Sequence, residues 1–568
     1  MQTMINDILA KTREPGFADS LKDLLMEICE IDTTPRADVS IMRDAESAVF
    51  DILERRLDAC PFPGARRERR KVNPEIAQHP AYSQLHFTKT DEKPEGVPPE
   101  EAYAERGNLL YFVPGADGYE GADGVALNAH IDVVKPFMPP RYEDGIVYGR
   151  GSCDDKGAIV AMIAALTILS QTLEQHGKSL KKNLVNMFVI EEETGGNGSL
   201  SLALDRELKQ LFNSILVLEC TGNEVHPANR GAIWYRADLH CEGVNLFELF
   251  AYVIEQFEQE GRAIKAESRH SLFPQRPVQT CHGIVGHYGE HPSRICGEVA
   301  FTIALDGEVT EKTEACITDA IESALAEYLA VYGDKTKDID PTTQKPKVDH
   351  HYDLACENGV FRCDVHGSTG HMGSILENDG AITKMACFAR ALVRSKAKIA
   401  ELSGGAVTLA LADEEPAQVL TLEGGQGFVP THTIEDVMER VAIAGQRGAE
   451  NYLRIIGCDA KSDGAVEVTY DKLHNAAFDG DPDSPAMHNA IAAAKNAGMW
   501  KDQEIMGWTV SCDSRLFATE YPDMSVLTSG AGHLMYAHGD AEQLRIDELV
   551  TSVGFVAVYL LREAGLAE

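Results

Sequence analysis

Three short apolar runs that each stop at an ionisable residue constrain this chain more than any other feature. Residues 125–129 end at His130, residues 184–190 run into Glu191-Glu192-Glu193, and residues 215–218 end at Glu219. Runs of about four to eight apolar residues bounded by turn signals read as buried strands. A helical pattern from about Lys156 separates the first two, and a further strand is expected at 108–113. Alternation of this kind implies an α/β fold with a mainly parallel sheet. In such open sheets, sites lie beyond the carboxyl ends of the strands. His130, the three glutamates and Glu219 therefore fall where chemistry is expected.

The same texture returns near the C-terminus, with a strand at 524–528 and a closing helix at 546–561. Near the start, Leu21, Leu24, Leu25 and Ile28, then Val49, Ile52, Leu53 and Leu57, repeat at helical spacing and predict two helices. The polar, proline-containing stretch 61–105 reads as a surface insertion. At 568 residues the chain exceeds what one core normally serves. The expected division is a catalytic domain in two parts, 1–230 and 460–568, with an inserted α+β lid at 231–459. The lid repeats an order of strand, helix, strand, helix in two halves, 231–333 and 351–459, across the charged linker 333–341, so an internally duplicated lid is expected.

Two further motifs add donors. Gly149-Arg150-Gly151-Ser152-Cys153-Asp154-Asp155-Lys156-Gly157 is a loop entering a helix, and its acids could simply favour the helix dipole. Glycines on both sides point instead to a backbone in an unusual conformation. Tyr536-Ala537-His538-Gly539 supplies a second imidazole. A strand-end histidine is often structural and most acid runs are solvated. Three consecutive acids at a strand end nevertheless repel one another unless cations compensate. Together the motifs give two histidines and three carboxylates, a donor set for a pair of hard or borderline metals. Asp132 could orient His130 from behind.

The formal net charge of −37 argues against nucleic-acid or anionic-membrane binding, which needs basic surface. No run reaches the roughly 18 to 20 uninterrupted apolar residues of a membrane-spanning helix, and 158–169 is expected to be a buried helix. The start of the chain lacks the pattern of a secretory signal. Thirteen scattered cysteines fit a reducing compartment. A cytoplasmic location is expected.

The order of these motifs resembles the family of two-zinc hydrolases that includes aminoacylase, acetylornithine deacetylase, succinyl-diaminopimelate desuccinylase, carboxypeptidase G, peptidase V and carnosinase. The likeness runs from Ile31-Asp32-Thr33-Thr34-Pro35 to the final helix. It implies a zinc-peptidase-like catalytic domain with two zinc ions, replaceable by cobalt or manganese. His130 and Glu219 resemble the ligands of one zinc, Glu193 and His538 those of the other, and Asp154 the bridging carboxylate. Glu192 matches the general base acting on a zinc-activated water, and Asp132 the acid that orients His130. Gly367-Ser368-Thr369-Gly370-His371 resembles the lid histidine motif, making His371 the candidate oxyanion donor. The resemblance also implies a cis bond between Asp154 and Asp155.

The implied activity is hydrolysis of an amide bond in an N-acyl amino acid or small peptide. Glutamate at position 219 resembles the deacylase and desuccinylase branch; the alternative is a dipeptidase or carboxypeptidase. A non-catalytic metal-binding scaffold is the third reading, and it leaves Glu192 without a role. The family's carboxylate-gripping lid arginine has Arg230, Arg294 and Arg515 as candidates. Either a monomer with a pseudo-dimeric lid or a homodimer is expected, with His371 serving its own chain in the first case.

Overall fold

Strands with both faces buried need no polar alternation, and the apolar runs of the sequence form such strands. The computed structural model describes all residues except 117, 119–122, 341–343, 375–378, 415–417, 459–461, 463, 471–473 and 568. The chain divides into two units, Met1–Ala232 with Arg269–Gln275 and Lys472–Glu568, and Ile233–Ser268 with Arg276–Asp471.

The first unit opens with helices α1 (Gln2–Lys11), α2 (Phe17–Cys29) and α3 (Val39–Leu57). Its strands are β1 (Arg66–Lys71), β2 (Gly107–Val113), β3 (Gly124–His130), β4 (Asn183–Val189) and β5 (Ser214–Leu218), joined by Val225–His226 and, late in the chain, Ser525–Ser529. The sheet order is β1-β2-β4-β3-β5, then Ser525–Ser529, then Val225–His226. β4, β3, β5 and Ser525–Ser529 run parallel. The flanking strands are antiparallel, so the sheet is mixed where the sequence predicted a mainly parallel one. Every residue of β3 and β4 is buried.

The stretch 61–105 is not a detached surface insertion. It supplies the edge strand β1 and buries Ile76, Leu85, Val97 and Tyr103 in the core. β1 reads Arg-Arg-Glu-Arg-Arg-Lys. It carries no apolar signal because it lies at an edge, where charge blunts pairing with other chains.

Helix α4 (Lys156–His176) follows the acidic loop. By length and composition it is apolar enough to cross a membrane, although polar residues interrupt it, and it contains the buried helix expected at 158–169. In this fold 83% of that apolar window is buried inside the protein.

The second unit contains β6 (Gly231–Leu239), α5 (Leu246–Glu267), β7 (Thr280–Val285), β8 (Glu298–Leu305), α6 (Glu311–Tyr332), β9 (Tyr352–Glu357), β10 (Val360–His366), α7 (Ala381–Ser403), β11 (Val407–Leu411), β12 (Leu420–Phe428), α8 (Ile434–Ile456) and β13 (Val466–Thr469). They form two sheets, β7-β12-β6-β13 and β9-β10-β8-β11. Helix α5 packs on α8, and α6 on α7. The duplication is therefore nested and not serial. Residues 298–411 make one complete module, inserted between β7 and β12, which pair directly from Thr280 opposite Gln426 to Val285 opposite Leu422. The serial halves 231–333 and 351–459 each mix strands of both sheets. The lid also continues past 459, because Val466–Thr469 pairs with Arg236–Leu239. Pro341 and the boundary positions 459 and 460 lie outside the described residues.

Candidate metal centre

Three neighbouring parallel strands deliver the donors to one edge of the first unit's sheet. β3 lies between β4 and β5, with His130 opposite Val189 and Asn128 opposite Val217. His130, the acids after Val189 and Glu219 after Leu218 therefore emerge side by side. Asp154 comes from the loop before α4, and His538 from the loop after Ser525–Ser529.

The Asp154 carboxylate lies between the two imidazoles. Its Oδ1 is 3.1 Å from Nε2 of His130 and its Oδ2 is 3.4 Å from Nε2 of His538. Glu193 approaches the same His538 nitrogen at 3.0 Å, and Glu219 lies 4.0 Å from His130 Nε2. The groups His130, Asp154, Glu193 and His130, Glu192, Glu219 each keep their donor atoms within 4.8 Å. Glu192 is half-buried, whereas Asp154, Glu193, Glu219, His130 and His538 are buried. His371 belongs to the second unit, where its Nδ1 accepts the Gly373 N–H at 2.8 Å.

Local backbone geometry fixes these side chains. Gly151 has φ of +85°, and a Cβ there would come within 2.8 Å of Val133. The loop cannot carry a larger residue at that point. The Asp154–Asp155 bond is cis, as the resemblance implied. After β4 the chain turns sharply, with the Gly196 N–H donating to the Glu191 carbonyl at 2.6 Å. Gly196 has φ of +78°, and a Cβ there would approach Asp513 Oδ1 to 2.4 Å.

Four residues take parts that sequence reading missed or assigned otherwise. Asp132 does meet His130, whose Nδ1 is 3.0 Å from its carbonyl oxygen and 3.4 Å from its carboxylate. Its two carboxylate oxygens also accept the N–H groups of Glu192 and Glu193 at 3.1 and 3.0 Å, so Asp132 pins both acids at once. Glu191 needs no metal, because Arg106 lies 2.7 Å away and Tyr103 donates at 2.6 Å. Glu542 is buried and pairs with Arg150. One of its oxygens accepts from the N–H groups of Gly151, Cys153 and Asp154 at 2.9, 3.1 and 3.1 Å. Arg515 is buried and donates to the Gly195 carbonyl at 2.9 Å, bracing the turn. Arg230 is fully buried in the same unit, while Arg294 in the second unit is half-buried. Glu542 lies in the same stretch as His538, two residues after Asp540, and nothing local marked it as the clamp of the Asp154 loop.

The electrostatics call for cations. Burial pushes the carboxyls of Glu192 and Glu219 well above the usual range, and that of Glu193 upward as well, each reinforced by neighbouring carboxylates. Burial opposes charge on His538, but Glu193 and Asp154 push it up to about 9. Burial likewise opposes charge on His130, and its bonds to Asp132 and Asp154 outweigh this. Desolvation would raise Asp154, yet the two imidazoles hold it well below the ordinary value. Four carboxylates around two imidazoles leave negative charge that a bound divalent cation offsets. The mixed imidazole and carboxylate donors suit zinc, cobalt or manganese, and the backing of His130 by Asp132 is the usual support of a metal-bound imidazole. The residues present fit a metal centre.

A sheet edge with imidazoles and a shared carboxylate, built on an α/β unit with an inserted lid, defines a metal-dependent hydrolase class. Comparison narrows it further: the sequence profile of Peptidase family M20/M25/M40 matches residues 126–562, and the chain belongs to that family. A peptidase M20 domain-containing protein of Schizosaccharomyces pombe is 33% identical over 119 residues, 21% of this chain and 28% of that protein. A probable carboxypeptidase of Trichophyton verrucosum is 26% identical over 145 residues, 24% of this chain and 30% of that one. A LysW-lysine/LysW-ornithine hydrolase of Saccharolobus islandicus is 28% identical over 135 residues, 23% of this chain and 35% of the relative. The chain thus aligns with about a third or less of these relatives' length. In fold it is similar to human carnosine dipeptidase 1, with TM-score 0.55, 13% identity and 99% of both chains covered. It is equally similar to the di-peptidase Dug1p of Saccharomyces cerevisiae, with TM-score 0.55, 14% identity, and 99% and 98% covered.

Proposed function

We propose that this chain hydrolyses an amide bond in an N-acyl amino acid or small peptide, using two zinc ions, with cobalt or manganese as substitutes. The observation that carries the reading is Asp154, whose two oxygens face the Nε2 atoms of two different imidazoles. A carboxylate so placed fits a bridge between two cations, with His130 and Glu219 on one side and Glu193 and His538 on the other. When bound, such ions polarise the amide carbonyl and lower the pKa of water toward about 7. Glu192, held by Asp132 through its backbone N–H, takes the proton of the attacking water and returns it to the leaving amine.

His371 is assigned to the carbonyl oxygen, where negative charge develops in the transition state. Arg294 is opposite His371 in an antiparallel bridge, and directly opposed residues share a face. Arg294 remains, with Arg230 and Arg515, a candidate grip for a substrate carboxylate. We assign His371 to its own chain, through a lid that is internally duplicated, and place the protein in the cytoplasm, in keeping with thirteen free cysteines. The similarity to probable carboxypeptidases favours a second reading, in which the substrate is a dipeptide or the C-terminus of a peptide.

The test is turnover of metal-loaded protein on N-acetyl and N-succinyl amino acids beside free and C-terminally amidated dipeptides. Cleavage of an N-acyl amino acid or of a free dipeptide supports the reading and chooses the substrate branch, and its loss on amidation supports recognition of a substrate carboxylate. Loaded protein that turns over none of them sinks it.

A further inference from the structure

A different set of metal donors is assembled in the second unit, on the hairpin of β9 and β10. His350 Nε2 is 2.7 Å from Asp353 Oδ2, and His366 Nε2 is 2.9 Å from the same oxygen. One donor atom from each residue falls within 4.8 Å of the other two. The hairpin builds this cluster. Asp353 is opposite Asp364 and Tyr352 opposite Val365, and the His366 N–H donates to the His351 carbonyl at 2.9 Å. That register sets His366 diagonal to Asp353, within reach of its carboxylate. His350 enters from the segment just before β9.

The third strand adds a carboxylate on the other side of His366. Glu298 is opposite His366 in the β8–β10 ladder, and its Oε1 is 3.6 Å from His366 Nδ1. A neutral imidazole carries only one N–H, so with carboxylates at both nitrogens His366 either takes up a proton or turns a lone pair toward one of them. A cation at Nε2 removes the conflict, because Nδ1 is then free to donate its proton to Glu298. A carboxylate behind a metal-bound imidazole is the usual way its orientation is fixed. Two imidazoles and one carboxylate suit zinc, copper or nickel and not the oxygen-seeking calcium or magnesium. The side chains of His350 and Asp353 are 54% and 64% exposed, which leaves room for water at the remaining positions. Metal–donor bonds of about 2.0–2.2 Å set tetrahedral donors roughly 3.3 Å apart, so seating an ion takes only a small outward shift of exposed side chains.

We infer that His350, Asp353 and His366 form a second metal site in the lid, for a borderline divalent ion of the zinc class, with Glu298 orienting His366. The ion ties the segment preceding β9 to the end of β10. No residue of this site belongs to the centre of the first unit.

The test is titration of metal-free, full-length protein with zinc against a chromophoric chelator. Wild type is compared with the double variant His350→Ala/His366→Ala and with the milder Asp353→Asn. Circular dichroism in chelator verifies that each variant is folded. The expected result is that the double variant binds one zinc equivalent fewer per chain and Asp353→Asn binds that equivalent more weakly, with amide hydrolysis unchanged. Equal zinc stoichiometry and affinity in all three proteins would overturn the proposal and leave the cluster a proton-bridged hydrogen-bond network. The readout is a difference between variants, so it holds whatever number of ions the first unit takes and whether or not the proposed hydrolysis is found.

Discussion

Buried acids are treated in opposite ways in the two units. Among the described residues of the second unit five carboxylates are buried and each has a partner nearby, Glu423 through Arg236 at 3.8 Å. Glu248 meets Lys396 at 2.6 Å and Tyr452 at 2.9 Å. Asp379 meets Lys384 at 2.6 Å, Glu260 meets Arg440 at 2.7 Å, and Glu258 meets His282 at 3.1 Å. In the first unit, Glu46, Glu191 and Glu542 are paired with Arg106 and Arg150 in the same manner. Asp154, Glu192, Glu193 and Glu219 share two imidazoles among four carboxylates. An unpaired buried charge is costly unless something else compensates it. The contrast within one chain separates acids neutralised by a neighbouring base from a group of acids, half-buried Glu192 among them, that crowd around two imidazoles and suit a cation.

The sharpest way to break this comparison is Glu192→Gln. It should reduce amide hydrolysis by about two to four orders of magnitude, the usual worth of general acid–base catalysis, while zinc content measured by elemental analysis stays the same. Loss of zinc would make Glu192 a ligand. Next comes Glu542→Ala, which leaves Arg150 buried without its partner and frees three backbone N–H groups of the Asp154 loop. A destabilisation of about 3–5 kcal/mol is expected in urea unfolding, and a neutral result would deny the clamp.

Removing the metal should then reverse the pH dependence of stability. Without cations, Glu192, Glu193 and Glu219 have folded pKa values above the ordinary 4.5, and His538 is raised to about 9. Groups raised in the folded state bind more protons there than when unfolded, so the stability they contribute is full below the ordinary value and is lost as pH rises. Asp154 acts the other way, but only as pH falls below its ordinary 3.8. Metal-free protein should therefore lose thermal stability steadily from about pH 4.5 to about pH 9, and metal-loaded protein should not. Parallel profiles would show that the acids are compensated from within. The smallest effect is Lys396→Ala in the lid. Tyr452 still reaches Glu248 and Lys396 is partly exposed, so a cost of about 1–3 kcal/mol is expected, with turnover and metal content unchanged.

The residues themselves determined the strand-end motifs. Whether a run of apolar residues is long enough for a strand, and which residue ends it, is local information, so His130, Glu192, Glu193 and Glu219 stood out before any fold was known. Their convergence follows from a general property of parallel sheets, which bring strand ends to one edge. Strand pairing in the lid was not legible. β7, β9, β12 and β13 escaped sequence reading, and without them the order of elements looked like a serial repeat. Pairing joins residues far apart in the chain, as Thr280 joins Gln426. Only burial of a whole face selects among such partners. The division of labour among Glu191, Glu192 and Glu193 was also a tertiary decision. Three identical neighbours differ only in direction, and Arg106 and His538, brought in from separate parts of the chain, decide which acid is neutralised and which meets an imidazole, while Asp132 holds the backbone of Glu192 and Glu193 alike.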